Sequence, residues 1–119
     1  MDSQEIYYVY VYMDPFIICN KEYEGFNFEY EPFYVGKGKE DRINEHMKEF
    51  YRLNYDSLSS KDRKYIHRKL HKINKILNLG LPPVIIKLSE NLSEIDAYEL
   101  EHSLIVSIGR IEDGGSLFN

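Results

Sequence analysis

The octapeptide IYYVYVYM, Ile6–Met13, sets the strongest limit on what this chain can fold into. β-Branched and aromatic residues occupy both of its alternating faces, so a strand built from it has no side suited to water. Such a strand belongs in the middle of a sheet, packed above and below. Asp14-Pro15 predicts its end, because proline withdraws a ladder donor. The chain has 119 residues, 43% of them hydrophobic and 14% aromatic. That is enough for one core but not for two, and far from a disordered composition.

NKEYEGFNFEYE, residues 20–31, mixes acids with aromatics around Gly25 and reads as an excursion or extra hairpin. PFYVG, Pro32–Gly36, is a second short strand, and Gly36 and Gly38 permit positive φ or a close approach to the backbone. From about Asp41 the period becomes helical: Ile43, Met47, Phe50 and Tyr51 form one stripe. After SLSS, Ile66, Leu70, Ile73 and Leu77 trace a second, ended by Gly80 and Pro82. PVIIKL, Pro83–Leu88, predicts a third strand. Ser93 with Asp96 three residues on predicts a capped helix running to about Ile108. GGSLFN closes the chain as a glycine turn with an apolar plug. No internal repeat, linker or low-complexity tract is present.

The net charge of −5 argues by itself against a polyanionic partner. It hides a division: residues 37–75 carry twelve Lys/Arg against six Asp/Glu, leaving three against fourteen elsewhere. Local field steers a polyanion, so this basic middle is a candidate docking surface, and a solvated pair of mixed-charge helices is the alternative. One cysteine, Cys19, excludes an internal disulfide, and no Cys/His spacing suits zinc, which fits a reducing cytoplasm. MDSQE has no basic start ahead of an apolar run, and no segment nears eighteen consecutive apolar residues. Neither a secretion signal nor a membrane span is expected.

In the last predicted helix, Ala97, Leu104 and Ile108 form the inward stripe and Glu101 lies on it. A carboxylate on an apolar face should meet a cation, a metal or a strong donor. An internal salt bridge to Lys37 or Arg42 is one solution. Glu99 falls on the polar face. In GKGKEDR neither GxxxxGK[ST] nor a full GxGxxG occurs, which excludes those nucleotide-binding loops. What remains is a strand-to-helix loop with two lysines, then Arg42, with His46 one turn on along the same face. Arginine suits a bidentate hold on phosphate and histidine suits proton traffic near neutrality. Alone, either could be an ordinary helix residue, and Tyr10 and Tyr34, in two different strands, could be core packing.

Taken together, these blocks resemble the GIY-YIG nuclease superfamily. Tyr8-Val9-Tyr10 is similar to its first motif, with Tyr8 in place of glycine, and Tyr34-Val35-Gly36 to its second. FYVGKGK, then Arg42 and His46, resembles the wording of phage-type homing endonucleases. Glu99–Glu101 resembles the helix that carries the family's metal-binding glutamate, and GGSLFN its terminal block.

The resemblance implies an α+β fold, a small central three-stranded antiparallel sheet flanked by helices, in one catalytic domain over residues 1–119. Residues 14–32 would be an insertion between the first two core strands. It implies a metal-dependent DNA endonuclease of homing type, with a restriction or repair nuclease, or a silent nucleic-acid-binding module, as alternatives. Tyr10 would polarise or deprotonate water, Tyr34 and Lys37 would position water and phosphate, and Arg42 would stabilise the transition state. His46 would assist proton transfer or hold a tyrosine, Glu101 would bind one magnesium ion (manganese substituting), and Asn119 would orient the phosphate or its supporting hydrogen bonds. Lys37, Lys39, Lys64, Arg68 and Lys72 would meet double-stranded DNA. A transient dimer on DNA, a targeting domain absent from this chain, and the cytoplasm of a bacterial or phage-infected cell complete these expectations.

Overall fold

The computed structural model describes residues 4–119; Met1–Ser3, from the acidic MDSQE stretch, lie outside the described residues. Three strands, β1 (Tyr7–Tyr23), β2 (Phe26–Gly38) and β3 (Val84–Leu92), form an antiparallel sheet in the order β2-β1-β3. The central position of Tyr7–Met13 follows from its two apolar faces. Val9, Val11 and Met13 pack with Ala97, Leu104 and Ile108 of α4 (Glu94–Ile108). Tyr8, Tyr10 and Tyr12 face the opposite layer, built from Phe50 of α1 (Glu45–Leu53) and Leu70, Ile73 and Ile76 of α3 (Arg68–Asn78). The fold is thus the α+β arrangement expected.

The strands run longer than expected, most of all in the first hairpin, while β2 extends to Gly38 and β3 to Leu92. β1 does not stop at Asp14-Pro15 but bends through register shifts and continues to Tyr23, while β2 starts at Phe26. Beyond Met13, β1 has no pairing with β3, so Pro15 removes no bond that the sheet needs. Glu24 and Gly25, both with positive φ, join the strands as a two-residue hairpin loop requires. Residues 14–32 are therefore the far half of one long hairpin.

The helical region is also more broken than its periodicity implies. Arg42–Asn44 is a turn of 3₁₀-helix ahead of α1, and a four-residue helix, α2 (Ser60–Arg63), precedes α3. Ile66, which keeps the apolar period, lies in the turn between α2 and α3, where the His67 side chain accepts the Lys69 N–H and caps the helix. The capped start of the last helix is as predicted: Ser93 Oγ accepts the Asp96 N–H at 3.1 Å.

α3 is held against the sheet by a salt bridge away from solvent. Lys72 Nζ lies 2.7 Å from Asp14 Oδ2, their side chains 12% and 4% exposed, and Asp14 Oδ1 also accepts the Phe16 N–H. Removing one partner strands a buried charge. Lys72→Met should cost about 3 kcal/mol in urea unfolding, with part recovered in the Asp14→Asn/Lys72→Met double variant.

Candidate active site

The three inner tyrosines do more than fill a layer. Tyr8 Oη accepts the Ile43 N–H at 2.8 Å and donates to the Glu40 carbonyl at 3.0 Å, and Tyr12 Oη donates to the Ile43 carbonyl at 2.6 Å. These bonds staple the loop after β2, and the turn that carries Arg42, to the central strand. Tyr10 Oη lies 2.7 Å from His46 Nε2. Gly36 and Gly38 do not adopt positive φ; their role is close approach. A Cβ at Gly36 would collide with the Tyr10 ring, and one at Gly38 with the Arg42 side chain.

Around these groups opens a cleft of about 1250 Å³, lined by Tyr10, Tyr34, Lys37, Lys39, Arg42, His46 and Glu101 among others. Burial pushes the Tyr10 phenol well above its usual range and raises that of Tyr34 as well. Burial, aided by Lys69, lowers His46 to about 4. Both members of the Tyr10–His46 pair are therefore neutral at pH 7 and share one hydrogen. The Tyr34 ring meets the His46 ring edge to face at 4.4 Å. Among the described residues, no hydrogen bond or ion pair engages the Arg42 guanidinium.

Glu101 is half-buried on α4, and its pKa is raised by burial against the opposing pull of the Lys37 backbone N–H. That N–H donates to Glu101 Oε2 at 3.0 Å. The alternative of a salt bridge to Lys37 or Arg42 is not formed: Lys37 Nζ pairs instead with Glu94 at 3.3 Å. Glu101 lines the cleft, and its Oε1 has no protein partner among the described residues. No three His, Cys, Asp or Glu side chains gather into a metal cage among those residues. One carboxylate open to solvent fits magnesium, which keeps most of its waters, and does not fit zinc.

The remaining expected residues divide. Lys37 and Lys39 flank the Tyr7 ring at the cleft, each ammonium 5.6 Å from its centroid. Asn119 does not line the cleft. Its amide accepts from Val35 N–H at 3.0 Å and donates to the Val35 carbonyl at 2.6 Å, fixing β2 between Tyr34 and Gly36. Lys64, Arg68 and Lys72 lie off the cleft: Lys64 is exposed, Arg68 pairs with Glu112 and Lys72 with Asp14. Glu94, Glu49 and Lys69 line the cleft without having been expected there. Glu94 precedes Glu101 by seven residues on one helix face, and Lys69 precedes the buried Ile73 and Ile76 by four and seven, so both were detectable by spacing.

Residues 7–113 match the LEM-3-like GIY-YIG domain. The chain belongs to this GIY-YIG family. No curated protein and no solved structure matches it. GIY-YIG domains are nuclease domains, so the superfamily and its fold are as the motifs implied. The preference for a homing role finds no support, since the LEM-3-like domains are a different branch. Among the described residues no helix is long and apolar enough to cross a membrane.

The neutral histidine has a thermodynamic consequence. His46 titrates lower in the folded chain than the ordinary 6.5, so its stabilising contribution is full above pH 6.5 and is lost as pH falls towards 4. Glu101, with a raised pKa, works in the opposite sense. Thermal melts from pH 7 to pH 4 should fall less steeply for His46→Gln than for the parent chain; equal slopes would refute a buried neutral imidazole.

Proposed function

We propose that this GIY-YIG domain hydrolyses DNA phosphodiester bonds with a single magnesium ion held by Glu101. The observation that carries this reading is the convergence of three groups on one cleft: the Tyr10–His46 pair, the unengaged Arg42 and the open oxygen of Glu101. A structural core has no use for all three there. Family membership supports nuclease chemistry at the coarser level.

In this mechanism a water attacks phosphorus while its proton passes to Tyr10 Oη, and the Tyr10 hydrogen passes to His46 Nε2. His46 must be neutral to receive it, and its burial ensures that. The approach of anionic phosphate raises the basicity of His46 at the moment of need. Arg42 offers a planar pair of donors to the charge that accumulates on the non-bridging oxygens. Tyr34, its hydroxyl without a protein partner among the described residues, orients water or phosphate, and the Lys37 ammonium can exchange Glu94 for phosphate. The Lys37 backbone N–H holds the Glu101 carboxylate in place. Bound magnesium, or manganese in its stead, supplies Lewis-acid polarisation of the phosphoryl group. The leaving oxygen takes its proton from solvent. With one such site per chain, a double-strand break needs a second protomer or two successive nicks.

Relaxation of supercoiled plasmid tests the reading. Cleavage should require magnesium or manganese, stop with EDTA, and fall on the order of 100-fold or more in Glu101→Ala and Arg42→Ala. Plasmid retarded on a gel but never nicked would favour the silent binding module. The kcat/KM profile reports groups of the free enzyme, so its acid limb should lie below the 6.5 of an ordinary imidazole. A limb at or above 6.5 would remove His46 from the proton path.

A further inference from the structure

Lys69 stands apart from the other cations of the cleft. Its side chain is 12% exposed, against 28% for Lys37 and 71% for Arg52. The ammonium sits 5.3 Å from the centroid of the Tyr34 ring, whose edge-to-face partner is His46. Its one ion-pair partner among the described residues is Glu49 Oε1 at 3.4 Å, and Glu49 is 49% exposed. A lysine normally spends side-chain entropy to reach a phosphate; here packing has already ordered the stem. A half-exposed carboxylate is a weak competitor for it, because solvent-screened pairs are marginal and exchangeable.

The backbone beneath Lys69 is equally fixed. The His67 side chain accepts its N–H at 3.1 Å, and one turn further along α3 Lys72 is locked to Asp14. The position of this charge beside Tyr34 and His46 is thus set from three directions. Arg42 lines the same cleft from the loop ahead of α1, so a phosphate in front of the two rings would be met by cations from two different elements.

We propose that Lys69 forms a phosphate-binding subsite of the cleft with Tyr34, taking a non-bridging oxygen of a DNA phosphodiester, with Glu49 as the ammonium's resting partner. This subsite rests on the phosphodiesterase reading of the cleft, but it can be tested without cleavage.

The probe is the dinucleotide thymidylyl-thymidine, which contains a single phosphodiester, titrated in EDTA while the ring signals of Tyr34 and His46 are followed by NMR. Loss of a charge-assisted bond should weaken binding about ten-fold in Lys69→Met, which keeps the apolar stem, and Lys69→Arg should restore most of it. Glu49→Gln, a surface change that leaves the fold intact, should tighten binding about two-fold by removing the competitor. Lys61→Ala, on the exposed face of α2, should match the parent chain. The subsite is overturned if Lys69→Met binds as the parent does, or if the dinucleotide leaves both ring signals unmoved. A plasmid assay on the same samples separates the two readings: a parent chain that binds the dinucleotide through Lys69 but never cuts with magnesium retains the subsite and loses the nuclease.

Discussion

Everything in this domain depends on a central strand that must be covered on both faces. One face is closed by aliphatic packing of Val9, Val11 and Met13 against α4, where the carboxylate of Glu101 is satisfied at the edge by the Lys37 N–H. The other is tyrosine, and each buried hydroxyl needs a hydrogen-bond partner or costs the fold dearly. Two of those hydroxyls bind main-chain groups of the loop after β2, and the third binds His46. The requirement that stabilises the layer is thus the requirement that shapes the cleft. The tyrosine that replaces the family's first glycine takes a full part in this, since Tyr8 both donates to and accepts from the loop that positions Arg42.

The two sides of the cleft come from opposite layers of the sheet. Tyr10, Tyr34 and His46 belong with α1 and α3, whereas Glu101 arrives from α4 behind β1. They meet because Lys37, near the end of β2, offers its backbone N–H to the carboxylate. A backbone donor of this kind survives any side-chain change at position 37 except proline, so the Glu101 geometry is decoupled from the Lys37 charge. The ammonium is left to a solvent-exposed partner, Glu94, which a phosphate can displace.

Much of this was legible in the residues. The apolar faces of Ile6–Met13 gave the strand its central place, the Ser93 cap gave α4 its start, and helical spacing turned Glu101 inward. The gaps have physical causes. Proline ends a strand only where its missing N–H would have been used, and beyond Met13 no third strand pairs with β1. Ile66 keeps a helical period although His67 caps a new helix after it, because periodicity registers burial and not backbone continuity. Lys72 looked like any other exposed lysine because its partner, Asp14, lies fifty-eight positions away. The donor to Glu101 was invisible for a simpler reason: main-chain N–H groups carry no letter in a sequence.

The division of charge along the chain acquires a spatial meaning from the long hairpin. No residue between 14 and 32 lines the cleft, and the far half of that hairpin carries Glu22, Glu24, Glu29 and Glu31 on a chain whose longest extent is 50 Å. Opposite charges kept at a distance make the whole domain an electric dipole. In the field of a polyanion such a body experiences a torque as well as a force, over the ~8–10 Å reach that salt permits. An acidic ribbon kept out of the cleft would act as a tail fin, turning the cations that line the cleft towards such a polyanion before any side chain makes contact.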